Sequence, residues 1–172
     1  MVGRAAGDLE GRGGASAREM VEKCSGAAVV GTRVGCAPLS ADVVGVFATA
    51  ADTFDARVRT GGLRGFKCAG AAAVGTKVVF APRNADVVGV FDTATNTFAS
   101  VSTGALTMDM KFAGAAAMGT KVVFAPMNAD VVGVFDTATN TFDASVSTGD
   151  LTGFKFAGAA AVGPKVVLAA HT

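Results

Sequence analysis

The residues that could do chemistry are few. The chain holds one histidine, His171, beside its last residue, and three cysteines, Cys24, Cys36 and Cys68. A single histidine removes most Ser-His-Asp, Cys-His and histidine-ligated metal arrangements. The phrase Asp-Thr-Ala-Thr-Asn at 92–96 and again at 136–140 is oxygen-rich. A calcium site, however, needs about six to eight oxygens, and neither phrase has the EF-hand spacing or a closing bidentate glutamate. Both suit a short hairpin in which the aspartate accepts hydrogen bonds from its own turn backbone. No metal and no cofactor is therefore expected. Lys and Arg total 15 against 14 Asp and Glu, a net charge of +1. That is too little for the broad positive field that holds nucleic acid or an anionic membrane, so neither is an expected partner.

Of the residues, 51% are hydrophobic but only 7% aromatic, with no Trp or Tyr, so Ala and Val, helped by Gly, must build the elements. Mean hydropathy is +0.47. Even so, a charged residue interrupts every strongly apolar stretch well before the ~18 residues of a membrane helix. The first residues, MVGRAAGDLEGRGGASAREM, lack the apolar run of a secretory signal, so a cytoplasmic product is expected.

Self-similarity decides the architecture. Starting at Lys23, Lys67, Lys111 and Lys155, at a spacing of 44 residues, the chain restarts the phrase K-(C/F)-(A/S)-G-A-A-x-(V/M)-G. Segments 67–98 and 111–142 differ only at Cys68/Phe112, Val74/Met118 and Arg83/Met127. Each unit divides into four short segments rich in Val, Phe and Thr, in the second unit Phe66 to Val74, Lys77 to Ala81, Asp86 to Phe91 and Thr97 to Thr103. Their lengths and composition suit strands, and none has the 3.6-residue spacing of a helix. Gly75-Thr76, Pro82 to Ala85 and Asp92 to Asn96 supply the turns. Four antiparallel strands per unit at this period are the signature of a β-propeller blade. The small residues of GAAAVG and GAAAMG then fit the crowded innermost strand.

Residues 77–104, KVVFAPRNADVVGVFDTATNTFASVSTG, resemble the YVTN-type surface-layer propeller repeat. The units are also similar to kelch repeats, with Phe47, Phe91 and Phe135 in the aromatic column before the turn and Phe54, Phe98 and Phe142 in the kelch Trp column. They depart from kelch in having Ala-Pro at 37–38, 81–82 and 125–126 where the Gly-Gly doublet should stand. The resemblance covers residues 23 to 170 and implies the fold. It does not imply chemistry, because propellers host many functions.

The expectation is an all-β, incomplete β-propeller over 23–172, about three and a half four-stranded blades, preceded by an irregular segment at 1–22. The fourth unit breaks off where its third strand should begin, so both ends of the arc would present open edges. A fragment of a longer propeller, self-association through the open faces and a stable open arc all fit.

Comparison of the units also sorts the remaining residues. Cys24 and Cys68 share a column with Phe112 and Phe156, and Cys36 shares one with Phe80, Phe124 and Leu168. Each is expected to be a free, buried, weakly reactive thiol. Ala48 replaces the turn aspartate in the first unit, whose hairpin should be looser, and His171, near the end of the chain, is expected to fray. Met108-Asp109-Met110 reads as a locally altered turn, with a contact loop as the alternative.

Divergence concentrates in two connections, the one between second and third strands and the one between blades. In a meander both emerge on the same face. That face is the candidate binding surface, with Arg83, Asn84, Asp86, Met127, Asn128 and Asp130 as its members. The reading is a non-catalytic scaffold for a protein or small polar ligand. A propeller lyase or hydrolase and a self-associating structural repeat are the alternatives. The acidic groups recur from blade to blade, whereas an active site usually needs one asymmetric constellation.

Overall fold

The computed structural model describes residues 23–171, so the irregular segment expected at 1–22 lies outside the described residues. Within them the chain forms fourteen strands and no helix. The first sheet is β1 (Cys24–Val30), β2 (Arg33–Pro38), β3 (Val43–Ala48) and β4 (Thr53–Arg59). The second is β5 (Cys68–Val74), β6 (Lys77–Pro82), β7 (Val87–Asp92) and β8 (Thr97–Ser102). The third is β9 (Phe112–Met118), β10 (Lys121–Pro126), β11 (Val131–Asp136) and β12 (Thr141–Ser147). A two-stranded fourth sheet, β13 (Phe156–Val162) and β14 (Lys165–Ala170), completes the set. Every sheet is an antiparallel meander in chain order.

Strand periodicity makes the core. In β6, Val78 and Phe80 pack toward the first sheet with Ala37, Val44 and Val46, while Val79 and Ala81 pack toward the third with Phe112, Val122 and Phe124. A blade is therefore apolar on both faces, and the hydrophobic effect, about 1.5–3 kcal/mol for each buried Val or Phe side chain, acts between blades rather than inside one. Three phenylalanines of the third sheet cluster, Phe112, Phe124 and Phe142, with ring centroids 5.6 to 6.4 Å apart.

The innermost strands β1, β5, β9 and β13 lie one against the next, and they can do so because each has glycine at the contact. A Cβ built on Gly70, whose φ is +91°, would sit 2.7 Å from the Cα of Gly114, and one on Gly26 would meet the Cα of Gly70 at the same distance. The small residues thus line the shared axis, as the GAAAVG phrases predict.

The outward faces of the terminal sheets are uncovered among the described residues. Phe54 of the first sheet and Val162 and Val167 of the fourth are each more than half exposed. This corrects one expectation. Cys68 is buried, but Cys24, in the same column, is exposed and Cys36 only half-buried, because no blade covers the leading face of the first sheet among the described residues.

Candidate interaction face at the blade junctions

The connections β2–β3 and β4–β5, with their counterparts in later blades, meet at each junction on one side of the arc. A lysine at the start of each later unit ties them. The Lys67 amide donates to the Leu39 carbonyl at 2.9 Å, and its own carbonyl accepts from the Arg83 amide at 2.8 Å. Its buried ammonium reaches Asp42 at 3.1 Å and the Ser40 carbonyl at 3.2 Å. Lys111 repeats the pattern with the Arg83 carbonyl, Asp86 at 3.0 Å and the Met108 carbonyl at 2.7 Å. Lys155 repeats it with the Met127 carbonyl, Asp130 at 3.0 Å and the Asn128 carbonyl at 3.2 Å. Burying an ammonium is costly unless it is paired and hydrogen-bonded, and each lysine here is both. These lysines were visible in the sequence only as the opening letter of a phrase. The overlooked signal is a charge held in an otherwise apolar repeat, recurring in step with Asp42, Asp86 and Asp130.

All six residues expected on the binding surface lie at these junctions, in differing roles. The Arg83 guanidinium stands 5.9 Å over the Phe66 ring, and its buried Nε has no hydrogen-bond partner among the described residues. Asn84 accepts from the Met110 amide through Oδ1 at 3.0 Å. The Asn128 side-chain amide donates to the Asp109 carbonyl at 3.2 Å. Asp86 and Asp130 each pair with a lysine but keep more than half of their surface in solvent. Met127 contributes its backbone, donating to Lys111 and accepting from Lys155. The Met108-Asp109-Met110 segment is a rebuilt turn: Met110 has φ +54°, and the loop carbonyl of Met108 caps Lys111.

An open cleft of about 590 Å³ lies at the first junction, between the 60–67 loop and the β2–β3 connection, with Arg59, Arg64 and Phe66 among its walls. His171 is held rather than frayed: its amide donates to the Lys155 carbonyl at 2.9 Å, and its ring lies 5.9 Å from that of Phe154. Among the described residues no group of three His, Cys, Asp or Glu gathers in a way that could hold a metal ion. The described residues contain no helix long and apolar enough to cross a membrane.

No model of a known protein family matches the chain, and no curated protein aligns with it. Solved structures do share its fold. The Kuenenia stuttgartiensis hydrazine synthase superposes with a TM-score of 0.62 at 14% identity, over 91% of this chain and 42% of that one. A nidogen/laminin complex gives 0.61 at 9% identity, over 84% and 54%. The RRP9 WD40 repeats give 0.51 at 12% identity, over 70% and 36%. In each case the chain spans little more than half of the solved chain or less. WD40 repeats build β-propellers. With four-stranded meanders repeated around a stack of inner strands, the protein is an incomplete β-propeller.

Proposed function

We propose that the chain acts as a non-catalytic binding scaffold that takes a protein or a small polar ligand on its junction face, with blades of the YVTN-like or kelch-like type. One observation carries this. Between the second and third blades the strands repeat almost unchanged, while across all the units the loops of one face diverge, and those loops carry Arg83, Met127 and half-exposed carboxylates. Loops on a rigid scaffold are where recognition can vary without cost to the fold. The nidogen structure, a complex with laminin, supports the reading at the level of the fold.

The test is a ligand-observed NMR screen of the full chain against free amino acids, simple sugars and mono- and dicarboxylates. Saturable binding that Arg83→Ala or Met127→Ala weakens supports the scaffold. Binding indifferent to both substitutions, or the absence of any binding, overturns it, and turnover lost in Asp86→Ala would favour a lyase or hydrolase instead.

A second reading is favoured by the open faces. The leading face of the first sheet, where Phe54 is 62% exposed, is the face that the second and third sheets bury, so a second copy of the chain would continue an interface already present. A mass that rises with concentration in light scattering supports this reading, and a constant monomer mass rejects it.

A further inference from the structure

The first junction differs from the other two in charge. β4 ends on Arg59, paired opposite Val43, whereas the residues opposite Val87 and Val131 are Ser102 and Ser147. Arg64, in the loop TGGLRGFK at 60–67, falls where TGALTMDMK at 103–111 has Thr107 and TGDLTGFK at 148–155 has Thr152. Arg83, stacked on Phe66 at this junction, gives way to Met127 and His171 at the next two. The trend in carboxylates is opposite: Asp109 and Asp150 stand in the later loops, and the first loop has none. The repeat has thus become basic at one junction and acidic at the others.

The geometry gives that charge a place to act. Asp42 is the one carboxylate among the lining residues of the 590 Å³ cleft, and it is tied to Lys67 at 3.1 Å. Arg59 and Arg64 line the same cleft and have no ion pair among the described residues. The Phe66 ring, 44% exposed, and Leu63 supply an apolar wall beside them.

We infer that this cleft binds a small organic anion, one that carries a carboxylate or a phosphate on an apolar or aromatic group. A guanidinium presents a planar fork that matches either anion in two parallel hydrogen bonds, and two unpaired guanidinia in one concave site concentrate the field. The exposed Phe66 ring offers a surface on which an aromatic part can stack. The inference rests on the junction-face reading and names its ligand class.

The experiment is a calorimetric and NMR titration of the full chain with phenyl phosphate and with isophthalate. Inorganic phosphate and benzyl alcohol serve as single-feature controls. The variants are Arg59→Ser and Arg64→Thr, which install residues that the other two junctions already carry and therefore suit the blade. At least one organic anion should bind saturably, move the amides of 59–67 and weaken as salt rises. Each substitution should weaken binding by about tenfold, and the pair together should abolish it. Tighter binding of phenyl phosphate identifies the phosphate source, and tighter binding of isophthalate the carboxylate source. The proposal is overturned if neither anion binds saturably, if the double variant binds as well as the parent, or if inorganic phosphate binds as tightly as the organic anions. Should the anions fail while the ligand screen still yields binding that depends on Arg83 and Met127, the cleft assignment alone falls. Failure of both removes the junction-face reading as well.

Discussion

The ammonium of Lys111 lies 3.0 Å from Oδ1 of Asp86 across the boundary between second and third blades, with the lysine side chain fully buried and the carboxylate 56% exposed. The pair is asymmetric in consequence. Losing the aspartate would leave a buried cation with only the Met108 carbonyl at 2.7 Å and the Asn84 carbonyl at 3.5 Å. Asp86→Ala should therefore destabilise the protein by about 2 kcal/mol, less than the roughly 3–5 kcal/mol for breaking a fully buried pair because water still reaches the carboxylate. Adding Lys111→Met should restore part of that loss, since an uncharged side chain of similar length fills the same channel. Urea unfolding of the parent, both single variants and the double variant measures the coupling. A strictly additive cycle would show that the pair contributes nothing across the junction.

The inner glycines make a sharper comparison, because the same letter in the repeat has different surroundings. At Gly70 a Cβ would meet the Gly114 backbone at 2.7 Å, from a residue whose φ of +91° already disfavours any side chain. Among the described residues nothing lies within 4 Å of a Cβ on Gly158. Gly70→Ala should cost about 3 kcal/mol or more, since strain and overpacking add and backbone cannot step aside. Gly158→Ala should change stability by less than about 0.5 kcal/mol. Equal losses in the two variants, measured by thermal unfolding, would contradict the close stacking of inner strands.

Much of the fold was legible because duplication repeats each signal. The second strand of the second blade was expected at Lys77 to Ala81 and spans Lys77–Pro82; the fourth was expected at Thr97 to Thr103 and spans Thr97–Ser102. Period-two alternation at Val78, Val79, Phe80 and Ala81 was enough to make both faces apolar. What the pattern did not reveal depends on neighbours. Cys24 reads as a core residue by its column, yet its exposure is set by whether another blade lies beside it. The roles of Asn84 and Asn128 in closing loops, and of Lys67 in holding two blades together, arise between units distant in sequence. The inter-blade loop that holds Arg64 was legible as divergent, but Arg59, at the end of β4, was not singled out, and its place beside Arg64 in one cleft needed the register of β3 with β4.

The cysteines test burial directly. Desolvation pushes the Cys68 thiol up to about 12, and partial desolvation of the Cys24 sulfur, with Cys36 beside it, raises Cys24 to about 11 although much of the residue is exposed. Because the thiolate is the reactive form and a more basic thiolate is also more nucleophilic, Cys24 should react with a disulfide reagent at pH 8 about tenfold more slowly than an ordinary thiol. Cys68, which is also inaccessible, should react only on unfolding. The sign of the linkage follows. A thiol pKa raised above its unfolded value stabilises the fold fully below about pH 9, and that contribution is lost as the pH climbs toward 11 and 12. Rapid native-state labelling of Cys68 would be incompatible with its place between the first and second blades.

The first outer hairpin differs from the other two at three positions, with Ala48, Ala51 and Asp52 where they have Asp, Thr and Asn, and the first of these removes a turn acceptor. Asp92 accepts from the Ala94 amide at 2.9 Å, and Asp136 accepts from the Ala138 amide at 2.9 Å. That hydrogen bond holds the Asp136 carboxyl below the usual carboxylate range. Ala48 offers no such acceptor, and the neighbouring Thr49 hydroxyl bond to the Thr32 carbonyl is 3.1 Å, against 2.8 and 2.7 Å for Thr93 and Thr137. Amides of the first hairpin should therefore exchange with deuterium faster than those of the other two. Ala48→Asp should slow that exchange and stabilise the protein by about 0.5–1 kcal/mol, the net worth of one ordinary hydrogen bond. With the new carboxyl held low as that of Asp136 is, the gain should be complete above about pH 4 and fade as the pH falls below it. Equal protection in all three hairpins of the parent, or an Ala48→Asp gain that persists unchanged at pH 2, would mean that the aspartate does not set the stiffness of the turn.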